Sequence, residues 1–340
     1  MDTAILSQFK SLFTGSKNLV IIGHKNPDGD AIGSALGLYW FLLELGYKPT
    51  VVMPNDFPEF LKWMPGCNEI LNFEQQADQV AQVLEHSDLI CTLDFNDLSR
   101  VGDLESLLRD SAKTFVMIDH HQQPSDYATL TWSDTSMSST SEMVAHLIEA
   151  WTGWAGLSPA MATNLYTGIM TDTGSFKFPA TTAKTHQVVA ALIASGVEHS
   201  KIHQAVYDNQ SPGRMKLLGR ALNNMVIKQD WQTAYTMLSQ SDLDQCDFKK
   251  GDTEGFVNYG LQLEGIKFAL IFIENKSEQI IKISLRSTGD FSVNDFARNH
   301  FNGGGHINAA GGRFEGTMSE AIDHFLIHLI AYKNDLYETD

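Results

Sequence analysis

Short apolar runs in the first half of this 340-residue chain each end beside acidic or histidine residues, and this pattern restricts the fold. The runs at 19–22, 49–53, 88–93 and 114–118 have the length and composition of buried strands. Helix-like segments such as 31–45 separate them. Strands that alternate with helices predict an α/β fold, in which helices flank a mostly parallel sheet. Polar residues that follow parallel strands are expected to meet at the carboxyl edge of that sheet.

Seven side chains form the candidate set at this edge. They are His24, Asp28, Asp30, Asp94, Asp119 and His120 after the strands, and Asp172 in a loop after the predicted helix 159–169. The first three share the spacing H-x-x-x-D-x-D, which places three ligands within seven residues. Carboxylates mixed with imidazoles predict two divalent cations, Mn²⁺ or Mg²⁺ rather than structural zinc. Hydrolysis of a phosphate ester is the reaction that such a pair most directly serves.

Charge balance supports the same set. Four negative charges come from the aspartates at 28, 30, 94 and 172, and two divalent cations neutralise them. Asp94 is expected to bridge the ions. His120 is expected to be a ligand whose tautomer Asp119 holds, while His121 faces the substrate phosphate. Without metal the carboxylates repel one another, so we expect some of their pKa values to be raised and metal binding to weaken in acid.

Each motif also has a purely structural interpretation. Asp30 is placed to cap the helix that begins at residue 31, and residues 26–29 have the composition of a turn. Asp94 and Asp172 are placed to cap the segments that follow them. Residues 119–121 also fit a polar turn with two surface histidines. The functional interpretation therefore depends on the motifs occurring together.

The pattern changes near residue 224. The predicted elements beyond it are strands at 231–238, 266–274 and 280–286, and helices at 294–300 and 319–332. They indicate a smaller α+β domain with a mixed sheet. We therefore expect a metal-binding domain at 1–190, a helical connector at 191–223 and a substrate-binding domain at 224–340.

A glycine run in this second part is a candidate anion site. It reads Gly303-Gly304-Gly305-His306 and precedes Ala309-Ala310-Gly311-Gly312. Glycines let backbone N–H groups approach an anion, and a helix that began there would add its positive end. The alternative is a flexible hairpin. Arg286 and Arg100 are candidates to pair with a phosphate, or else belong to surface ion pairs.

Amino-acid composition restricts the kinds of binding partner and the cellular compartment that we expect. The formal charge of −17 excludes a broadly basic surface, so long duplex nucleic acid is not an expected substrate. No apolar run reaches the roughly 18 residues of a membrane span, and residues 1–10 lack the pattern of a secretory signal. Cys67, Cys91 and Cys246 are scattered and odd in number, which suits free thiols in a reducing cytosol. A cytoplasmic monomer or homodimer is expected.

The combined motifs resemble the DHH phosphoesterase family with its DHH-associated C-terminal domain. They are H-x-x-x-D-x-D, the later aspartates, Asp119-His120-His121 and G-G-G-H-x-x-A-A-G. The resemblance covers nearly the whole chain and is greatest to the branch that degrades very short RNA and dephosphorylates 3′-phosphoadenosine 5′-phosphate. It implies two domains with the active site in the cleft between them, and Mn²⁺-dependent release of mononucleotides. Phe95-Asn96 departs from the small hydroxyl residues common in the family at that point.

The resemblance also implies roles for individual residues. One ion would be held by His24, Asp28 and Asp94, and the other by Asp30, Asp94, His120 and Asp172. His121 would face the phosphate. The substrate would be held in the second domain by Arg286, Gly304, Gly305 and His306.

Other activities fit less well. Pyrophosphatases and polyphosphatases of the superfamily with the other type of C-terminal domain lack the glycine run. A processive single-strand exonuclease needs extra binding modules and a basic groove. A cyclic-dinucleotide or linear-dinucleotide phosphodiesterase is the nearer alternative, although those family members often carry membrane and sensor segments. A non-catalytic nucleotide-binding regulator is the alternative from another class, and turnover of a dinucleotide with Mn²⁺ distinguishes it.

Overall fold

The computed structural model describes residues 3–15 and 18–338, and the chain divides into two compact units after Asn209. The elements of the first unit are α1 (Thr3–Phe13), β1 (Asn18–Ile22), α2 (Gly29–Glu44), β2 (Lys48–Met53), β3 (Leu71–Asn72), α3 (Phe73–His86), β4 (Leu89–Leu93), α4 (Glu105–Arg109), β5 (Thr114–Asp119), β6 (Leu130–Ser133), α5 (Thr140–Thr152), α6 (Pro159–Asp172), α7 (Ala183–Ala194) and α8 (His199–Tyr207). Short 3₁₀ helices lie at Glu59–Leu61, Cys67–Glu69, Leu98–Leu104 and Trp154–Gly156.

The sheet of the first unit is parallel throughout. Within the described residues its strand order is β3-β2-β1-β4-β5-β6, and Ile21 on β1 pairs with Val51 on β2 and Cys91 on β4. The chain therefore runs outward from β1 in one direction and then returns to β4 to run outward in the other. In open parallel sheets, ligands commonly bind at the carboxyl edge where the strand order reverses in this way. The predicted α/β fold is confirmed.

Both faces of this sheet are covered, which explains why its strands are apolar at every position. On β1, Leu19 and Ile21 face the core that includes α2, α5 and α6, while Val20 and Ile22 face the opposite core. Val80 of α3 packs in that second core. Alternate side chains of one strand thus stabilise two separate apolar layers.

Helices α2 and α6 touch backbone to backbone. A Cβ added at Gly33 of α2 would lie 2.6 Å from the carbonyl oxygen of Asn164 and 2.9 Å from the Cα of Gly168, both on α6. Only glycine permits an approach this close. The contact holds the N-terminus of α2, which carries Asp30, and the C-terminus of α6, which carries Asp172, on one side of the unit.

The second unit is built around a mixed sheet. Its elements are α9 (Pro212–Asn223), β7 (Val226–Lys228), β8 (Thr233–Leu238), α10 (Gln240–Gln245), β9 (Phe268–Asn275), β10 (Ile280–Ser287), α11 (Val293–His300), β11 (Gly304–Gly305), β12 (Ala309–Glu315), α12 (Met318–Leu329) and α13 (Lys333–Glu338). Further 3₁₀ helices lie at Gln229–Trp231, Phe256–Gln262 and Ile330–Tyr332. The strand order is β11-β12-β10-β9-β8-β7, with β8 and β9 parallel and the other pairs antiparallel. The predicted mixed sheet is confirmed.

An aromatic cluster forms the main core of this unit. Phe268 and Phe272 of β9 contact Phe325 of α12 with ring centroids 6.0 and 5.7 Å apart, and Phe268 also contacts Phe296 of α11 at 5.2 Å. Buried aromatic pairs of this kind stabilise a core beyond their apolar area alone. Helices α11 and α12 are thereby fixed against one face of the sheet.

One sequence expectation about local structure is wrong. Asp172 was expected in a loop after residue 169, but α6 continues to Asp172, which places that carboxylate on the last turn of a rigid helix. No helix of the described residues begins at the glycine run, since Gly304–Gly305 form β11 and pair with β12. A Cβ at Gly303 would lie 1.9 Å from the carbonyl oxygen of Gly311, so the glycine serves this close strand approach.

Among the described helices, none has the length and apolarity that crossing a membrane requires.

The packing of α2 on α6 predicts opposite effects for two helical glycines. Gly33→Ala should lower the free energy of unfolding by about 1–3 kcal/mol, because the added methyl group meets backbone that cannot move aside. Gly219→Ala on α9 is the matched control, since its Cβ meets no atom within 4 Å among the described residues. It should stabilise by about 1 kcal/mol through helix propensity. Denaturant unfolding of the full chain measures both, and a neutral Gly33→Ala would contradict the packing.

Candidate metal centre

The loop after β1 is fixed by its own polar residues. Asp28 is the N-cap of α2, and its Oδ1 accepts hydrogen bonds from the N–H groups of Asp30 (2.9 Å) and Ala31 (3.1 Å). Asn26 has a left-handed backbone (φ 57°) and exchanges two hydrogen bonds with Asn55, at 2.7 and 3.0 Å. The capping role that the sequence offered to Asp30 thus belongs to Asp28, and the Asp30 side chain is left for other contacts.

Asp94 lies directly after β4 with both oxygens directed at histidines. Its Oδ2 is 3.5 Å from Nε2 of His24, and its Oδ1 is 3.6 Å from Nε2 of His120. The side chain is almost fully buried, and the backbone is left-handed at φ 65°. Non-glycine residues rarely adopt that conformation, and aspartate is among the few that tolerate it. One carboxylate therefore faces two imidazoles from a strained position.

The remaining predicted ligands complete two groups. His24, Asp28 and Asp94 form one group, and Asp30, His120 and Asp172 form the other, with the candidate ligand atoms of each within 4.8 Å of one another. Nε2 of His120 is 3.5 Å from Asp172 Oδ2 and 3.9 Å from Asp30 Oδ2. We call these six residues the aspartate–histidine cluster. The structure brings together all six residues that the sequence predicted as ligands.

The tautomers of both histidines suit a cation. Nδ1 of His24 lies 2.9 Å from the carbonyl oxygen of Lys25, and Nδ1 of His120 lies 3.2 Å from that of Met137. A carbonyl oxygen only accepts, so each Nδ1 carries the hydrogen. In the neutral ring Nε2 then presents a lone pair to carboxylate oxygens at 3.5–3.9 Å, which are distances too long for hydrogen bonds. Lone pairs that face carboxylates repel them, and a divalent cation relieves that repulsion. The residues therefore fit metal ions.

Asp119 does not hold His120 as the sequence suggested. Its Oδ1 lies 2.7 Å from Nδ1 of His121, and the carbonyl of Met137 takes the expected position beside His120. Both histidines lie beyond the end of β5, and their rings are inclined at 74° with centroids 5.0 Å apart, so the two imidazoles have different partners. Asp119 is fully buried, so this pair fixes the ring of His121 firmly.

The N-terminus of α5 supplies contacts that the sequence analysis missed. The N–H groups of Thr140 and Ser141 donate to the two oxygens of Asp30 at 2.7 and 2.8 Å, and the Thr140 hydroxyl donates to Asp94 Oδ1 at 3.0 Å. The positive end of a helix thereby stabilises a buried carboxylate. The available signal was the hydroxyl-rich start of α5, where Ser139 caps the helix and Glu142 follows three residues later.

Burial and mutual repulsion shift the protonation of the cluster in the absence of metal. Burial, followed by the charges of Asp30 and Asp28, raises the pKa of Asp94 well above its usual range. Burial lowers the pKa of His24. Burial also acts to lower the pKa of His120, but Asp172 and other carboxylates outweigh it and the pKa is raised. Protons thus occupy part of the cluster, and cations that bind there displace them.

The predicted substrate-binding residues are distributed over both units. Arg100 is exposed in the 3₁₀ helix Leu98–Leu104, and its charge contributes to the lowered pKa of His24. In the second unit, Arg286 on β10 donates through Nη1 to the carbonyl of Leu285 at 2.9 Å. Gly304, Gly305 and His306 follow α11. The N–H of Gly305 donates to Asn294 Oδ1 at 2.9 Å, so this backbone group binds the protein itself.

Comparison with known proteins places this geometry in a family. The model of the N-terminal domain of the DHH family matches residues 18–169, and that of the DHHA1 domain matches residues 233–334. The bifunctional oligoribonuclease and PAP phosphatase NrnA of Thermus thermophilus is 31% identical over 91% of this chain and 88% of its own. NrnA of Bacillus subtilis is 29% identical over 86% and 88%.

A solved structure gives the same relationship. The crystal structure of an exopolyphosphatase-related protein from Bacteroides fragilis is 39% identical, covers 99% of this chain and 98% of its own, and superposes with a TM-score of 0.94. The two family domains, the extent of the relatives and the arrangement of the cluster lead to one conclusion. The chain belongs to the DHH family of phosphoesterases and is a hydrolase.

Proposed function

We propose that this protein hydrolyses short oligoribonucleotides to mononucleotides and removes the 3′-phosphate from 3′-phosphoadenosine 5′-phosphate. The proposed cofactors are two divalent cations, with Mn²⁺ preferred to Mg²⁺. The observation that carries the proposal is the Asp94 carboxylate, which directs one oxygen to His24 and the other to His120. A carboxylate so placed suits a bridge between two ions. The names of the relatives in Thermus thermophilus and Bacillus subtilis support the choice of substrates.

The residues around the cluster have distinct proposed roles. His24, Asp28 and Asp94 hold one cation, while Asp30, Asp94, His120 and Asp172 hold the other. Such ions, when bound, activate water and stabilise the oxygens of a phosphoryl group. Thr140 and Ser141 fix Asp30 from the helix terminus, so that its oxygens keep one orientation. Asp119 fixes His121 through Nδ1, which directs the other ring nitrogen to the leaving oxygen of the substrate.

The second unit is proposed to bind the substrate. In this division residues 1–190 form the metal-binding domain, 191–223 a helical connector and 224–340 the substrate-binding domain. Substrate contacts are assigned to Arg100, Arg286, Gly304, Gly305 and His306. The charge of −17 suits a small anion held by metal ions and few cationic side chains, and disfavours long duplex nucleic acid. The free thiols of Cys67, Cys91 and Cys246 suit the cytoplasm.

A substrate panel tests the proposal. Dinucleotides to pentanucleotides, linear diadenylate, cyclic dinucleotides, 3′-phosphoadenosine 5′-phosphate and pyrophosphate are each incubated with Mn²⁺ or Mg²⁺. We expect mononucleotides from the shortest RNAs and AMP from 3′-phosphoadenosine 5′-phosphate. Preference for cyclic dinucleotides would favour the phosphodiesterase alternative, and no turnover of any ester would favour a regulator.

The Asp94→Asn variant tests whether the aspartate–histidine cluster is required for hydrolysis of these substrates. Asparagine tolerates the left-handed backbone and keeps the volume, so the fold should persist while kcat falls by about 10³-fold or more with the bridging charge removed. Asp97→Asn, three residues away at the cap of the 3₁₀ helix, is the matched control and should be near normal. An Asp94→Asn enzyme that binds two Mn²⁺ and keeps its rate would refute the assignment.

Metal removal should change stability in a pH-dependent way. The pKa of Asp94 is raised by burial and by neighbouring aspartates, so its stabilising contribution is complete below the usual pKa of aspartate and is lost as pH rises through the raised value. Bound cations offset that loss. EDTA should therefore lower Tm more at about pH 8 than at about pH 5. Equal Tm with and without Mn²⁺ at both pH values would contradict the metal assignment.

Arg286→Ala should mainly raise KM, by about tenfold, because a charge-assisted hydrogen bond to a non-reacting phosphate is lost. Lys282→Ala is the control on the same strand, since Lys282 is exposed and pairs with Glu278 at 2.8 Å. Steady-state kinetics with a dinucleotide measure both variants. An unchanged KM for every substrate would remove Arg286 from the binding surface.

A further inference from the structure

Three histidines of the second unit converge at the contact between two helices. His300 is the last residue of α11, and His324 and His328 lie one turn apart on α12. One ring nitrogen of each lies within 4.8 Å of those of the other two. All three side chains are half-buried, so solvent reaches them. We call them the tri-histidine cluster.

Hydrogen bonds orient these rings. Nε2 of His324 lies 3.0 Å from the carbonyl oxygen of His300, which only accepts. His324 is therefore protonated at Nε2, and in the neutral ring Nδ1 carries the lone pair. Nε2 of His300 lies 3.0 Å from the hydroxyl of Tyr332, which leaves its other nitrogen for a ligand. Contacts of this kind, in which one ring nitrogen is held so that the other can bind, are typical around metal-binding histidines.

The three imidazole rings also contact one another directly. The rings of His300 and His328 are stacked with centroids 4.1 Å apart, and those of His324 and His328 meet edge to face at 4.4 Å. Three imidazoles this close repel one another when protonated, whereas neutral rings tolerate the contact. Burial, and then the neighbouring histidines, lower the pKa of both His300 and His328. Neutral imidazole is the form that binds metal.

We propose that His300, His324 and His328 bind one Zn²⁺ ion, in a site separate from the aspartate–histidine cluster, and that this ion joins α11 to α12. The ligands are all nitrogen, which suits zinc and disfavours Mg²⁺ and Mn²⁺. Two ligands lie at i and i+4 on one helix face, and the third comes from the neighbouring helix. The stacked pair opens on binding through rotation of the His328 ring, whose χ2 angle is broadly allowed.

Zinc titration of the full-length, EDTA-stripped protein tests this site. Zinc also binds carboxylate–imidazole clusters, so the measured quantity is the difference in stoichiometry between variants. With ZnCl₂ in calorimetry, we expect the wild type to bind one more ion per chain than His324→Gln or His328→Gln. His86→Gln is the matched control, because His86 is an exposed histidine at the end of α3, and it should keep the wild-type stoichiometry. Identical titrations of the wild type and His328→Gln would overturn the proposal.

A second measurement needs no variant. Crystals of the wild type soaked in ZnCl₂ are recorded on both sides of the zinc absorption edge. An anomalous peak among the three imidazoles supports the site. A map with peaks at the aspartate–histidine cluster alone refutes it. Neither result depends on which phosphate ester the enzyme cleaves, so this inference and the proposed function fail separately.

Discussion

The arrangement on which the first unit depends is a buried carboxylate that faces two imidazole lone pairs. Asp94 holds this position only because its backbone is left-handed at the end of β4, where its N–H donates to the carbonyl of Ile118 at 3.1 Å. A strained backbone persists where the surroundings over-determine it, and such strain concentrates at functional sites. Without a cation, part of the cluster has to be protonated, because burial and the neighbouring carboxylates raise the pKa of Asp94. The protein thus carries a local cost in its fold that metal binding offsets.

Packing elsewhere in the unit offsets this free-energy cost. The backbone contact of α2 with α6 at Gly33 fixes the two helix ends that present Asp30 and Asp172. The N-terminus of α5 then binds both oxygens of Asp30 through Thr140 and Ser141. Carboxylates on rigid helix termini cannot move apart to relieve their repulsion. The fold therefore preorganises the cluster at a cost to the metal-free protein, and this is the condition under which ions are bound in one geometry.

Much of this site follows from sequence, because its ligands lie directly after strands. Apolar runs of strand length located β1, β4 and β5, and the parallel topology then required His24, Asp94 and His120 to share an edge. Contacts that depend on the direction of a side chain could not be predicted from the sequence. The partner of Asp119 is His121, and the order of the residues in this tripeptide does not reveal that pairing. The role of Thr140 arises from a contact across 46 residues with Asp94, for which a single sequence has no signal.

The two proposed metal sites also differ in charge. Four aspartates of the first unit would balance the charge of two divalent ions, so that proposed site would be occupied without excess charge. Three neutral imidazoles leave the full charge of a divalent ion uncompensated by its ligands. The surrounding charge of −17 lowers the cost of such an ion, because a net negative chain attracts cations over several ångströms. Zinc binds nitrogen ligands more strongly than manganese does, whereas hard oxygen ligands accept manganese and magnesium. Ligand chemistry thus gives the two units different preferences for the ions available to them.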